Sequence, residues 1–157
     1  MASRSFATFL LNEQHYGIEI LLIREINRQL EMTPIPHAAD YIRGLLNLRG
    51  QIVTILDLNK RLGLKDTQLS ERSHNIILKT DQELQNINNE LVTAPDKVGF
   101  LVDDIQDVLI VSEEDIEFPP ANLGKVDGQF LSGVIKQDNK LVAILSVEKL
   151  LRQVAFS

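Results

Sequence analysis

The side chains able to do chemistry are few and dispersed. The three histidines, His15, His37 and His74, fall in separate stretches. No two share the spacing that would put a pair of imidazoles on one metal, and a surface or turn role is expected for each. There is no cysteine, which excludes disulfides, thiolate catalysis, zinc–cysteine sites and iron–sulfur clusters. Neither a GxGxxG nor a GxxxxGKS/T phosphate loop occurs, and no serine sits in a GxSxG elbow. Asp103, Asp104 and Asp107 could offer oxygens to a divalent cation. They lack the glycine and closing glutamate of a calcium loop, so a solvated turn is the expectation. Glu113, Glu114, Asp115 and Glu117 suit a solvated face beside a helix N-terminus. No catalytic set, metal site or cofactor is expected.

Two arginines stand apart, because they sit in a stretch apolar enough to be core. From Leu45 to Leu58, apolar residues fall at positions 45, 46, 48, 52, 53, 55, 56 and 58, punctuated by Gly44 and Gly50. Two strands flanking a tight turn at Arg49-Gly50-Gln51 fit this pattern. Arg49 at such a hairpin needs a partner. It can form an internal ion pair, with Glu25 or Asp57, or a charged contact at the rim of an apolar groove. Arg43 reads as an exposed helix residue or as a second rim contact.

The rest of the chain supplies the scaffold. Its 157 residues suit one domain or two small lobes, and 44% hydrophobic with 24% charged residues is ordinary for a globular protein. Twenty-two acidic against 16 basic residues give a net charge of −6, which disfavours nucleic acid and anionic membranes as partners. The N-terminus lacks the apolar region of a signal peptide. No apolar run approaches the roughly 20 residues of a membrane span. A soluble, cytoplasmic protein is expected, brought to any membrane only by a partner.

In chain order, Phe6–Leu11 and His15–Ile18 read as strands around a turn at Asn12-Glu13-Gln14. Leu21–Ile26 reads as a helical turn running into a strand. Thr33-Pro34-Ile35-Pro36 excludes regular structure, and Ala38–Arg43 suits a short helix ended by Gly44. Asp57 is a candidate N-cap for Leu58–Leu62. His74–Lys79 reads as a strand, and Thr80–Lys97 as a long polar hairpin loop. Val98–Val102 and Asp107–Val111 read as strands joined through Asp103–Gln106. Ser112 with Asp115 resembles a capping box. Phe130–Lys136 and Lys140–Leu145 form a hairpin turning at Gln137-Asp138-Asn139, and Ser146 caps a last helix from Val147 to Arg152. Short strands and scraps of helix indicate an all-β barrel or sandwich. A hairpin running into a short helix occurs twice, ending once in Leu56-Asp57-Leu58 and once in Leu145-Ser146-Val147, which suggests two similar barrels.

The pattern Ile42-x-Gly44-x-x-Asn47-Leu48-Arg49-Gly50, followed by Asp57-Leu58, resembles the chemotaxis coupling-protein (CheW-like) family. Tyr16-Gly17-Ile18, Ile23-x-Glu25-Ile26, Thr33–Pro36, Val98–Asp103, Phe130–Gly133 and Val147–Leu151 are similar to its other landmarks, in order, from about Phe6 to Leu151. The resemblance implies a mainly β fold of two SH3-like five-stranded β-barrels with a few short helices. It implies one such domain over 1–157, with a first barrel at about 12–72 and a second at about 73–157 that takes in the N-terminal strand 6–11. It implies a non-catalytic adaptor that couples the cytoplasmic tip of a chemoreceptor (a methyl-accepting chemotaxis protein) to the regulatory domain of the histidine kinase CheA, in a membrane-associated array. By position, Ile23, Glu25 and Arg49 would serve receptor binding and Gly44 kinase binding. Asn47, Gly50 and Asp57 would hold the hairpin. Thr54 departs from a frequent proline, and the Thr80–Lys97 loop is longer and more polar than usual. The same adaptor in a twitching or gene-regulating pathway, or an enzymatic or ligand-binding double barrel, are the alternatives.

Overall fold

A computed structural model describes residues 2–87, 91 and 93–154. The strands are β1 (Ser3–Leu11), β2 (Gln14–Glu19), β3 (Ile23–Asn27), β4 (Ile42–Leu48), β5 (Gln51–Asp57), β6 (His74–Leu78), β7 (Val98–Val102), β8 (Asp104–Ser112), β9 (Asn122–Leu123), β10 (Val126–Asp127), β11 (Leu131–Gln137) and β12 (Lys140–Leu145). The helices are short: α1 (Leu58–Arg61), α2 (Asp81–Gln85) and α3 (Val147–Leu151). Asp57, Thr80 and Ser146 cap their N-termini by accepting bonds from Lys60, Glu83 and Lys149 backbone N–H groups.

Two five-stranded sheets result, ordered β3-β6-β7-β5-β4 in the first lobe and β11-β12-β2-β1-β8 in the second. The two orders repeat one plan. In each lobe a hairpin (β4–β5, β11–β12) sends its second strand parallel to a strand (β7, β2) whose other neighbour is antiparallel (β6, β1). Each sheet is closed by one isolated bridge between its edges. Thr33, beyond β3, pairs with Leu45, and Glu117, beyond β8, pairs with Val134. Both bridges follow a glycine. A methyl group on Gly44 would sit 2.7 Å from the Thr33 carbonyl oxygen, and one on Gly133 would sit 3.1 Å from that of Glu117. Only a residue without Cβ lets the crossing chain come this near.

This plan corrects the expected division at about residue 72. β6 and β7 complete the first lobe and β2 joins the second, beside β1, which was expected there. The deciding contacts are the parallel pairs, such as Ile55 with Gly99 and Ile144 with Gly17. Local periodicity carries no trace of pairings that distant. It follows that Asp103–Gln106 is not a turn between paired strands. The chain crosses there from one sheet to the other, and Asp103 holds the crossing by accepting from Asn12 N (2.8 Å) and Asn59 Nδ2 (2.9 Å). Three further expectations change. Ala38–Arg43 forms turns, not a helix, with Arg43 already in β4. The polar stretch after Thr80 holds α2, fixed by a Thr80–Glu83 capping box; residues 88–90 and 92 lie outside the described residues. Ser112 makes no cap bond to the turn at Glu113–Asp115.

The core has three parts. Leu46, Leu48, Val53, Ile55, Ile77 and Leu101 fill the first lobe, and Phe6, Leu109, Ile135, Val142 and Ile144 the second. The largest part spans both lobes. It joins Phe9, Tyr16, Leu56, Ile76, Phe100, Leu131 and Leu145 to the apolar faces of α1 and α3.

Candidate functional site

The β4–β5 hairpin turns on two residues. Arg49 and Gly50 both have positive φ (51° and 83°), the requirement of a tight turn whose twist matches its strands. Asn47 Oδ1 accepts the Gly50 N–H at 3.0 Å and closes the turn from the side. Asn47 and Gly50 thus hold the tip in shape, and the tip carries Arg49 outward.

Arg49 meets Glu25 there. β3 and β4 are opposite edges of the first sheet, and closure through Thr33 brings them side by side. Arg49 Nη2 donates to Glu25 Oε1 across that join. The Arg49 side chain is 68% exposed, the glutamate side chain 25%. The Arg49 hydrogen bond holds the Glu25 carboxyl below its ordinary range; burial opposes this, while the Arg49 charge, the Asn27 side chain and the Arg24 charge add to it. Glu25 is therefore a carboxylate at neutral pH. One guanidinium nitrogen serves Glu25, and the outward part of the fork faces solvent, able to take a partner's carboxylate.

A narrow cleft opens beside the pair. Leu48, Val53, Ile77 and Leu78 supply its apolar lining, and Arg24, Glu25, Arg49 and Lys97 its charges. Ile23, at the start of β3, packs half-buried against the shared core and does not line this cleft. Exposed apolar residues flank it in sequence: Ile20, Leu21 and Ile26 on the β3 side, and Ile52 beside the tip. The cleft holds about 10 Å³, room for roughly one water, so the exposed apolar residues and the charged rim are what suit a protein surface laid against them.

Asp57 has a different arginine. It is 2% exposed and accepts from Thr67 N and Oγ1 (both 2.8 Å), from Lys60 N (3.3 Å) and from Arg43 Nη1 (3.3 Å). Arg43 is thereby a part-buried strand residue, which also donates to the Thr67 carbonyl, and not an exposed helix residue. Gly44 is buried beneath Thr33, so it presents no surface of its own.

One surface escaped sequence reasoning. On β8, Val108 and Ile110 are exposed, and Phe118, beyond it, is 97% exposed. The alternation Val108-Leu109-Ile110, with only Leu109 buried, was its signal, hidden because an apolar run reads as wholly core. A groove of about 570 Å³ runs between β8 and β11, with Glu114, Asp115, Glu117 and Lys136 on its walls. No histidine lines it, and among the described residues no group of three or more His, Asp or Glu could hold a metal. No described helix is long and apolar enough to cross a membrane.

Comparison with known proteins bears on this arrangement. A family model described as CheW-like domain matches residues 5–155. The chain is 31% identical to the chemotaxis protein CheW of Treponema pallidum over 91% of this chain and 79% of that protein. It is 30% identical to CheW of Klebsiella aerogenes over 94% and 81%. Among solved structures, the scaffolding protein CheW from Thermoanaerobacter tengcongensis superposes with a TM-score of 0.80 at 29% identity, over 96% of this chain and 88% of that one.

Proposed function

The chain belongs to the CheW-like domain family, and on that premise we propose that it works as a non-catalytic adaptor, coupling chemoreceptor signalling tips to the regulatory domain of the histidine kinase CheA. Its place is then the cytoplasm, at membrane-associated receptor arrays. The observation that carries the proposal is the exposed Arg49–Glu25 pair on a hairpin tip closed by Asn47, flanked in sequence by exposed apolar residues. A receptor helix would lay apolar side chains against exposed residues such as Ile26 and Ile52 and meet Arg49 with a carboxylate. Ile23 would act from behind, by packing β3 in place.

An adaptor needs a second face. The turns around Gly44 are one candidate for the kinase, with buried Gly44 acting on their shape by admitting Thr33. The Val108, Ile110 and Phe118 strip is the other, and it offers more exposed apolar area. Individually weak contacts would gain strength through the multivalency of an array.

The test is capture of the purified chain by a receptor tip and by the kinase regulatory domain, each separately, followed by kinase activity in the ternary mixture. Binding to both, with receptor-dependent kinase activity, is the expected outcome. Binding to neither refutes the proposal. A bound metabolite in the β8–β11 groove would favour the ligand-binding alternative.

A further inference from the structure

We infer that Arg61 is the positioning residue that sets how the two lobes sit against each other, and so how the receptor face is held relative to the kinase face. The second half of that statement rests on the adaptor reading.

Arg61 ends α1 in the first lobe, yet its contacts reach the second. Its Nε donates to the Leu150 carbonyl at 2.7 Å and its Nη2 to the Arg152 carbonyl at 3.1 Å. These carbonyls lie at the C-terminal end of α3, where helical acceptors lack intrahelical donors. The guanidinium carbon lies 5.1 Å from the Tyr41 ring centre and 5.0 Å from that of Phe130.

The topological repeat gives these contacts their meaning. Tyr41 precedes β4 and Phe130 precedes β11, the equivalent strands. Matched backbone bonds confirm the equivalence, Asp57 N to Tyr41 O (2.7 Å) and Ser146 N to Phe130 O (2.8 Å). Counting from those caps, Arg61 corresponds to Leu150, whose carbonyl it binds. One charged group therefore joins the two equivalent aromatics and the two equivalent helices, where the repeat alone would bring apolar residues together. The rest of the join is the shared apolar core. Apolar packing is strong but non-directional, so it tolerates neighbouring packings of similar energy. A planar fork with two hydrogen bonds and two aromatic neighbours selects one distance and one angle.

The absence of cysteine allows a clean test. Gln82→Cys on α2 and Lys140→Cys on β12, both exposed, take spin labels on opposite lobes. The inter-label distance distribution is measured on the isolated chain, so it does not depend on receptor or kinase. Arg61→Met keeps the aliphatic stem and removes the fork. It should shift the distribution or broaden it about twofold, with hydrogen exchange inside each sheet unchanged. Arg61→Lys, which keeps the charge without the planar fork, should not restore it. Phe130→Leu, which spares both hydrogen bonds, gives a second reading if Arg61→Met fails to fold. Each variant should bind receptor tip and kinase domain separately while losing receptor control of the kinase. A wild-type distribution in Arg61→Met and Phe130→Leu overturns the inference, as does an altered distribution with coupling intact. If the unsubstituted chain couples nothing, the adaptor reading falls with the consequence drawn from it, and the distance distribution still decides whether Arg61 orients the lobes.

Discussion

Arg49→Ala separates function from stability. The lost ion pair joins an arginine side chain that is 68% exposed to a glutamate side chain that is 25% exposed. Pairs this open to water contribute about 0–1 kcal/mol. The turn itself keeps its closing bond from Gly50 N to Asn47 Oδ1. Alanine takes the same positive φ that arginine now bears, so the backbone cost nearly cancels. Against a total of roughly 5–15 kcal/mol, the variant stays folded. Urea unfolding should therefore show a loss of no more than about 1 kcal/mol, while receptor control of the kinase is abolished. Glu25→Gln removes the same pair from the other side and leaves the guanidinium in place. If Arg49 meets the partner directly, Glu25→Gln is the milder change. The pair also predicts a titration. With the Glu25 pKa depressed in the folded state, its contribution is present above the ordinary value of 4.5 and is lost as pH falls through the folded value. Arg49→Ala should raise the Glu25 pKa, followed by NMR titration of its carboxyl, back toward 4.5, with only Asn27 and Arg24 left to lower it against burial. Destabilisation of about 3 kcal/mol or more would refute the reasoning, since that magnitude belongs to a buried pair. Unaltered coupling in a folded Arg49→Ala would refute it from the other side.

Asp57→Ala should behave in the opposite way. It leaves Arg43 and the Thr67 donors without their buried acceptor, at a cost of about 3–5 kcal/mol read as a lower urea midpoint. Gly44→Ala places a methyl 2.7 Å from a backbone oxygen that no rotamer change can move. A loss of about 1–3 kcal/mol is expected, with faster hydrogen exchange at the Thr33–Leu45 bridge. Phe118→Ser removes a ring that is 97% exposed, so the unfolding midpoint should not move. Binding of the kinase domain should weaken about tenfold, as for an apolar anchor at an interface, and unchanged affinity would remove the β8 strip from the proposed kinase face.

The fold class was legible because β4, β5, β11 and β12 are short apolar runs whose turns carry turn residues. The repeated passage from hairpin to capped helix at Asp57 and Ser146 was legible for the same reason: caps and turns are local. Lobe membership was not. It depends on parallel pairs such as Thr54 with Val98 and Val142 with His15, whose register is set by the closed core. Arginine partnering fell between. Glu25 and Asp57 were the right candidates for Arg49, but choosing between them requires the closure at Thr33, which puts β3 beside β4, and the β4–β5 pairing, whose register shift between Ile42 and Gly44 sets Arg43 beside Asp57. Phe118 carries no signal of exposure in the sequence, because an aromatic beside Pro119-Pro120 reads equally well as the end of a buried element.

The repeat also shows where function can reside. Positions that build the barrels match across the lobes: Gly44 with Gly133 at closure, Gly99 with Gly17 on the parallel strand, Ile55 with Ile144 beside both. Several positions facing outward or across the join do not match. Counting from the closure glycines, the hairpin tip carries Arg49 in one lobe and Asp138 in the other. Arg43 corresponds to Ser132, and Arg61 to Leu150. Packing accounts for the matched set and would be served equally by two identical lobes. The unmatched residues reverse or remove a charge at equivalent places, so they give the lobes different surfaces on one scaffold. That asymmetry is what a protein needs if it is to hold two different partners in a fixed relation, and under the proposed adaptor role the first-lobe tip and the Arg61 join are the places where coupling would be decided.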